Sequence, residues 1–285
     1  MSHRITAQQC RNLLRSLVPS TLLWVLTACG APLEPHEPVY LRIAGSTSMQ
    51  PLMEDLTQAY SGRHEYVTVD VQGGGSRLGI TLASRGNQID IGTASRTPTA
   101  EDERDPETRA KRLWWTAIAQ DGIALVVHPQ NAVGGVTLPQ AKDIFFGRIL
   151  DWKEMGGTAG EIVVVSREDG SGTREVFEEM VMGEKRVTLT AIVMSSSEAV
   201  IEYVARHPTA IGYVSMGHLS PQVKALPIEG VSPTPEDVQS GGYPLTRPLY
   251  LLTGQEPTGE MKAFIEFALS PAGQAIVGQR YSRLR

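Results

Sequence analysis

The chain reads as an α/β protein with mostly parallel sheets, on three observations. Short β-branched and apolar stretches alternate along it with stretches of helical periodicity. Apolar residues recur one helical face apart, as in Leu52 with Leu56 and Val176 with Met180. The strand candidates run into loops dense in Gly, Ser and Thr that open helices, and ligands in such folds sit beyond the carboxyl ends of strands.

Taken in order, the predicted strands are Tyr40-Ala44, Val67-Gln72, Ile89-Gly92, Ile123-His128, Ile162-Ser166, Ile211-Ser215 and Leu249-Thr253. The predicted helices run from about Pro51 to Tyr60, Gly79 to Arg85, Pro139 to Phe145, Thr173 to Met182, Ser197 to Arg206 and Gly259 to Leu269. At 285 residues the chain can bury a large core and hold one big or two ordinary domains. The formal net charge of −5, with no Lys/Arg cluster, argues against a nucleic-acid partner.

The first residues carry a processing signal. Arg4, Arg11 and Arg15 precede an apolar run from Leu17 to Leu26, interrupted by Pro19 and too short to span a bilayer. The run ends in Leu26-Thr27-Ala28-Cys29, which resembles a bacterial lipobox: a signal peptide at 1–28, cleaved before a Cys29 that is then lipidated. Its removal takes three arginines and no acid, moving the net charge from −5 to near −8. A proline-rich tether over 29–38 follows. Cys10 and Cys29 are the two cysteines, so the mature domain is expected to hold no disulfide. The expected location is extracytoplasmic (periplasm or cell surface), anchored to the membrane through lipidated Cys29.

Three loops are unusual: Gly45-Ser46-Thr47-Ser48, Gly73-Gly74-Gly75-Ser76 and Asp169-Gly170-Ser171-Gly172-Thr173. A helix start leaves backbone N–H groups unpartnered and carries partial positive charge. Glycine lets that backbone approach a ligand closely, and hydroxyls add donors that rotate to fit. One such loop is equally an ordinary cap or turn; three in one chain suit an oxyanion. Arg167, at the end of an apolar strand, adds a guanidinium able to fork onto two anion oxygens, with Asp169 placed to hold it.

At this point the chain resembles the phosphate-binding proteins of ABC transporters. Ala44-Gly45-Ser46-Thr47-Ser48-Met49-Gln50-Pro51-Leu52 and Gln72-Gly73-Gly74-Gly75-Ser76 are similar to that family's first two ligand loops. Asp90-Ile91-Gly92-Thr93-Ala94-Ser95-Arg96 and Arg167-Glu168-Asp169-Gly170-Ser171-Gly172-Thr173-Arg174 are similar to the next two. The likeness extends through Asp143-Ile144-Phe145-Phe146-Gly147-Arg148, Ala210-Ile211-Gly212-Tyr213-Val214-Ser215 and Tyr243-Pro244-Leu245-Thr246-Arg247-Pro248-Leu249-Tyr250.

The resemblance implies a two-lobed periplasmic binding protein fold (type II), with two crossing hinge strands near Ala117-Gly122 and Gly212-Gly217. One lobe would comprise 39–118 plus 219–285 and the other 119–218. It implies Thr47, Ser48, Ser76, Arg167, Ser171, Gly172 and Thr173 as phosphate ligands. The third loop departs from the family: Ser95-Arg96 stands where some members carry an Asp that accepts a hydrogen bond from protonated phosphate. Ser95 and Arg96 are counted with the site, and two readings of Arg96 stay open, added positive charge or a solvated side chain. The implied function is a monomeric receptor that binds inorganic phosphate and hands it to ABC transporter permease subunits. Sulfate or molybdate is the alternative ligand.

Enzyme readings lack support in the residues. No G-x-S-x-G elbow, P-loop or Rossmann fingerprint occurs, which leaves a phosphate- or acyl-ester hydrolase acting through Ser171 or Ser76 as a formal rival. A lipid-anchored sensor or adhesin that kept the fold is a third possibility. No metal or cofactor is expected, since the six histidines show no H-E-x-x-H pairing and read as surface or locally bonded. Trp114-Trp115, Met180, Met182 and Met194 read as packing residues, and Glu101 to Glu107 as a solvated acidic face.

Overall fold

The computed structural model describes residues 37–86, 88–99, 102 and 113–284. The predicted signal segment, Cys29, most of the tether and most of the acidic run lie outside the described residues. The elements are β1 (Val39–Gly45), a 3₁₀ turn (Thr47–Met49), α1 (Gln50–Ser61), β2 (Val67–Gln72), α2 (Ser76–Arg85), β3 (Ile91–Ala94) and β4 (Trp114–Val127). There follow α3 (Leu138–Phe146), β5 (Val163–Arg167), α4 (Gly172–Phe177) running into a π turn (Glu178–Met182), β6 (Ile192–Met194), α5 (Ser197–Arg206) and β7 (Ala210–Ser215). A 3₁₀ turn (Met216–His218), β8 (Lys224–Leu226), α6 (Pro235–Ser240), β9 (Thr246–Thr253), α7 (Gly259–Leu269) and α8 (Pro271–Val277) complete the order.

Hydrogen-bonded neighbours run β2-β1-β3-β9-β4-β7-β5-β6, with β8 also on β4. The pairings of β1 with β2 and β3, and of β5 with β6 and β7, are parallel. Those of β9 with β3 and β4, and of β4 with β7 and β8, are antiparallel. The sheet is therefore mixed rather than mostly parallel. Each parallel half is reached through helices, while the middle is closed by strands that cross between halves.

The long strand β4 makes the first crossing. Trp114–Gly122 pairs with β9 in one half, and Ile123–Val127 pairs with β7 in the other. Sequence reading finds the second part alone, because Ile123–Val127 is a continuous apolar run and is fully buried. The first part ends in the polar Gln120-Asp121-Gly122, and Trp114 and Trp115 remain about two-fifths exposed rather than packed inside. Met180 is likewise 40% exposed, whereas Met182 is buried as expected. The short strands β6 and β8 and the short helices α6 and α8 escape periodicity altogether. α6 and α8 nevertheless open on a capping Thr234 and Ser270, each followed by proline.

Residue 219 is not where the chain returns to the first half. β8 pairs with Leu125–Val127, Ile228 bridges Val136, and Lys224 Nζ donates to the Val133 carbonyl at 2.8 Å. The chain thus lies over the second half before crossing back into β9, because β4 still offers it an open ladder edge there. The core wraps α1, α7 and α8 on one half, and stacks Phe145, Phe177 and Tyr213 on the other, with Phe177 and Tyr213 parallel at 4.2 Å between ring centroids.

A buried ion pair fixes the crossing. Asp121 on β4 accepts from Arg247 Nε at 2.9 Å and Nη2 at 2.8 Å, and from Ser215 Oγ on β7 at 2.8 Å. Asp121 and Arg247 are essentially without solvent exposure. The near-isosteric Asp121→Asn leaves that guanidinium buried without its counter-charge. It is expected to lower the unfolding free energy by about 3–5 kcal/mol, read from urea denaturation.

Candidate functional site

The four predicted loops meet where the two halves face each other. The first leaves β1 at Gly45 and turns through Thr47–Met49 into α1. The second ends in Gly75, whose φ of +90° and 2.8 Å approach of an added Cβ to the Gly170 carbonyl both demand glycine. It thereby brings the start of α2 against the fourth loop, where Arg77 N–H also donates to the Gly170 carbonyl at 3.1 Å. The third leaves β3 at Ser95. The fourth leaves β5 at Arg167 and turns so that Ser171 caps α4, accepting from Arg174 N–H at 3.3 Å.

Their hydroxyls converge. Ser46 Oγ donates to Ser95 Oγ at 3.0 Å, Ser76 and Ser95 hydroxyls lie 3.2 Å apart, and Ser95 N–H donates to Ser76 Oγ at 3.0 Å. The Ser48 and Thr173 hydroxyls, from opposite halves, share a hydrogen bond of 2.6 Å. A Cβ on Gly172 would collide with Ser76 Oγ and stand 2.8 Å from Ser95 Oγ. Thr47, Ser48, Ser76, Ser95, Ser171, Gly172 and Thr173 are all buried.

Arg167 supplies the charge. Its side chain is 1% exposed. Nη2 donates to Thr47 Oγ1 at 3.1 Å across the halves, and Nη1 donates to Ser197 Oγ at 3.2 Å. Glu168 grips Nε and Nη2, both at 2.9 Å. Asp169, expected to hold Arg167, is instead 89% exposed and pairs with Arg174 at 2.9 Å. The turn at Gly170 carries it outward.

Arg96 is neither solvated nor turned onto the hydroxyl cluster. Its guanidinium is 6% exposed, fork-bonded to Asp102 at 2.6 and 2.8 Å and ion-paired with Glu175 of α4. Arg77 of α2 stands 3.6 Å from the other Glu175 oxygen. Asp102, expected on a solvated face, is buried under Arg96. Burial acts to raise its pKa, but Arg96 and the Thr99 N–H hold it below the usual carboxylate range. Burial pushes the Glu175 carboxyl up, against Arg96 and Arg77.

Three residues that sequence reading left unassigned belong to this neighbourhood. Glu168 neutralises Arg167, and Ser197 receives it. A hydroxyl run, Ser195-Ser196-Ser197, ahead of a helix was the available signal for the latter. His218, expected to be a surface or locally bonded residue, is 5% exposed and touches Thr47 and Glu198. No sequence pattern marks it.

This is an assembly of neutral donors around one partly neutralised guanidinium, suited to holding an anion. No histidine or carboxylate makes a hydrogen bond to Ser76 or Ser171 among the described residues, so neither hydroxyl has a base beside it. Among the same residues no group of three or more His, Cys, Asp or Glu could hold a metal ion, and no helix is long and apolar enough to cross a membrane.

The chain matches the PBP superfamily domain over residues 33–272. It is 33% identical over 231 residues to the phosphate-binding protein PstS of Bacillus subtilis, covering 81% of this chain and 75% of that one. It is 27% identical over 253 residues to PstS of Borreliella burgdorferi, covering 84% and 87%. Among solved structures, a putative phosphate ABC transporter substrate-binding protein with bound phosphate from Clostridium perfringens is similar at a TM-score of 0.80 and 37% identity, covering 86% of this chain and all of that one. An ABC-type phosphate transport receptor from Vibrio cholerae is similar at 0.68 and 32%, with the same coverage. With its crossing strands and loop-borne site, the chain belongs to the PBP superfamily, alongside the PstS phosphate-binding proteins.

Proposed function

We propose that this chain is a receptor for inorganic phosphate that serves an ABC transporter, and a binding protein rather than an enzyme. The observation that carries the reading is the closure of buried donors from both halves around Arg167: Thr47 bonded to it, and Ser48 bonded to Thr173. A tetrahedral anion is the ligand such a cage suits, because N–H and O–H donors solvate it without bulk water. The relatives named for phosphate binding and phosphate transport support the choice of anion.

In this reading Thr47, Ser48, Ser76, Ser95, Ser171, Gly172, Thr173 and Arg167 hold the anion. Arg96 acts at one remove, through Glu175. The lobes are the sequence-derived ones, 39–118 with 219–285 and 119–218, amended so that β8 and its following turn stay with the second. The receptor works as an extracytoplasmic monomer, tethered through lipidated Cys29, that docks on permease subunits. Sulfate and molybdate are the competing ligands.

Titration calorimetry of the anchor-free protein with phosphate, sulfate and molybdate tests this. One phosphate per chain is expected. Arg167→Met should weaken it about thirtyfold or more, because truncating one partner of a buried charge contact costs about 2–5 kcal/mol. Heat with sulfate or molybdate and none with phosphate would replace the ligand, and an unchanged affinity in Arg167→Met would displace the site.

The Arg96–Glu175–Arg77 contact predicts a second outcome. Glu175→Gln removes the charge that draws two first-half arginines onto α4. Phosphate affinity should fall about three- to tenfold, the range of a partly exposed charge contact. Small-angle scattering should show a more open ligand-free form, whereas an unaltered affinity and shape would show that the contact has no part in closure.

A further inference from the structure

His218 has a contact set that fixes its protonation state. It stands in the 3₁₀ turn that follows β7. Its Nε2 lies 3.1 Å from the Thr47 carbonyl oxygen, and its Nδ1 lies 3.2 Å from Glu198 Oε1. A carbonyl oxygen can only accept a hydrogen bond, and so can an ionised carboxylate. Satisfying both contacts at once calls for a donor on each ring nitrogen, which is the imidazolium form. The imidazole is 5% exposed, while the Glu198 side chain is about half exposed.

Glu198 is a steady partner. Burial acts to raise its carboxyl, but the His218 contact and local N–H donation bring it down to about 2. Its place in the first turn of the ten-residue α5 also favours the anion. The carboxylate therefore keeps its charge across the neutral range.

We propose that His218 is a proton-requiring positioning residue for phosphate binding: as an imidazolium it ties the Thr47 backbone to Glu198 across the closed lobes, and loss of its proton loosens the first anion loop. The proposal rests on the reading of these loops as the phosphate site. Thr47 is held from two sides, its hydroxyl by Arg167 and its carbonyl by His218. Without the Nε2 proton, a ring lone pair faces the carbonyl oxygen, and the loop relaxes away from Arg167.

The charged and titratable groups around the imidazole are Glu198 on α5, Asp121 on β4 with its partner Arg247 on β9, and Arg167 on β5. Beyond α8, Arg280 donates to the neighbouring Gly217 carbonyl at 3.4 Å while paired with Asp55, and the Tyr281 hydroxyl donates to the Ser48 carbonyl at 2.9 Å. Among these, Glu198 is the carboxylate in direct contact with the ring.

His218→Gln separates this role from simple packing. The glutamine amide reaches the Nε2 position and donates to the Thr47 carbonyl at every pH. Phosphate's own titration affects both proteins alike and cancels in the ratio of their affinities. From about pH 6 to about pH 8.5, wild-type affinity should fall about tenfold more than that of His218→Gln, measured by calorimetry. Glu198→Gln should move the wild-type decline to lower pH.

A ratio that stays constant with pH would overturn the proposal. Nitrogen-15 imidazole spectra of the wild-type, phosphate-loaded and phosphate-free protein give a reading that needs no variant to fold. Both ring nitrogens protonated at about pH 6 supports the contact set, and a neutral His218 ring in the loaded form at that pH overturns it. Absence of phosphate binding at every pH would instead remove the phosphate assignment, with the ring spectra still deciding the state of His218.

Discussion

The buried guanidinium of Arg167 sets the terms for everything around it. Removing an arginine from water costs several kcal/mol unless its N–H groups are bonded and its charge is balanced. Here Glu168 forks onto two nitrogens, Met194 offers a carbonyl, and Ser197 and Thr47 offer hydroxyls. Apart from the adjacent Glu168, those partners come from two segments remote in sequence, residues 194–197 and the loop at Thr47. Satisfying one cation thus draws the start of α5, the end of β6 and the first loop of the opposite half to one point. The balance also leaves the surroundings nearly neutral, so an anion would be selected by the direction of its donors more than by net attraction, as suits a chain of net negative charge.

That point lies at the ends of strands because β4 joins the halves as one continuous ladder. A strand that exchanges β9 for β7 midway carries its ladder through both halves, with one register shift between Ala117 and Ala119. The cost is a polar stretch at the crossing: Asp121 accepts from Ser215 and from two nitrogens of Arg247, while Arg247 Nη1 has no hydrogen-bond partner among the described residues. That stretch, Gln120-Asp121-Gly122, interrupts the apolar run by which a strand is read.

Legibility therefore differed by kind of contact. The loops were readable because each carries its own local chemistry: glycines for positive φ, hydroxyls for donors, a helix start behind them. Helix α5 was placed at its observed bounds, and α1 and α3 to within a residue, since amphipathic period and caps are local too. What the sequence did not reveal are pairings between distant residues. Asp169 is the partner expected for Arg167, and the structure gives that place to Glu168 because the turn at Gly170 carries Asp169 outward. Arg96 could be charge or solvated surface until Asp102 and Glu175 bury it. Tyr281, which no local pattern marks, has a fully buried ring, and its hydroxyl donates to the Ser48 carbonyl.

These long-range pairings share a design. Ser48 with Thr173, Thr47 with Arg167, Arg96 and Arg77 with Glu175, and His218 between Thr47 and Glu198 each join one half to the other. Each is small beside the whole, since a neutral hydroxyl bond contributes about 1 kcal/mol and a hydrogen bond to a charged group about 1.5–3 kcal/mol. Such a set can close in register on a ligand that completes it, and reopen when the ligand leaves, which a large apolar interface between the halves would prevent. The polar character of the cleft is thus a condition for release as much as for capture. It also makes closure sensitive to proton concentration wherever one of the joining groups is a histidine.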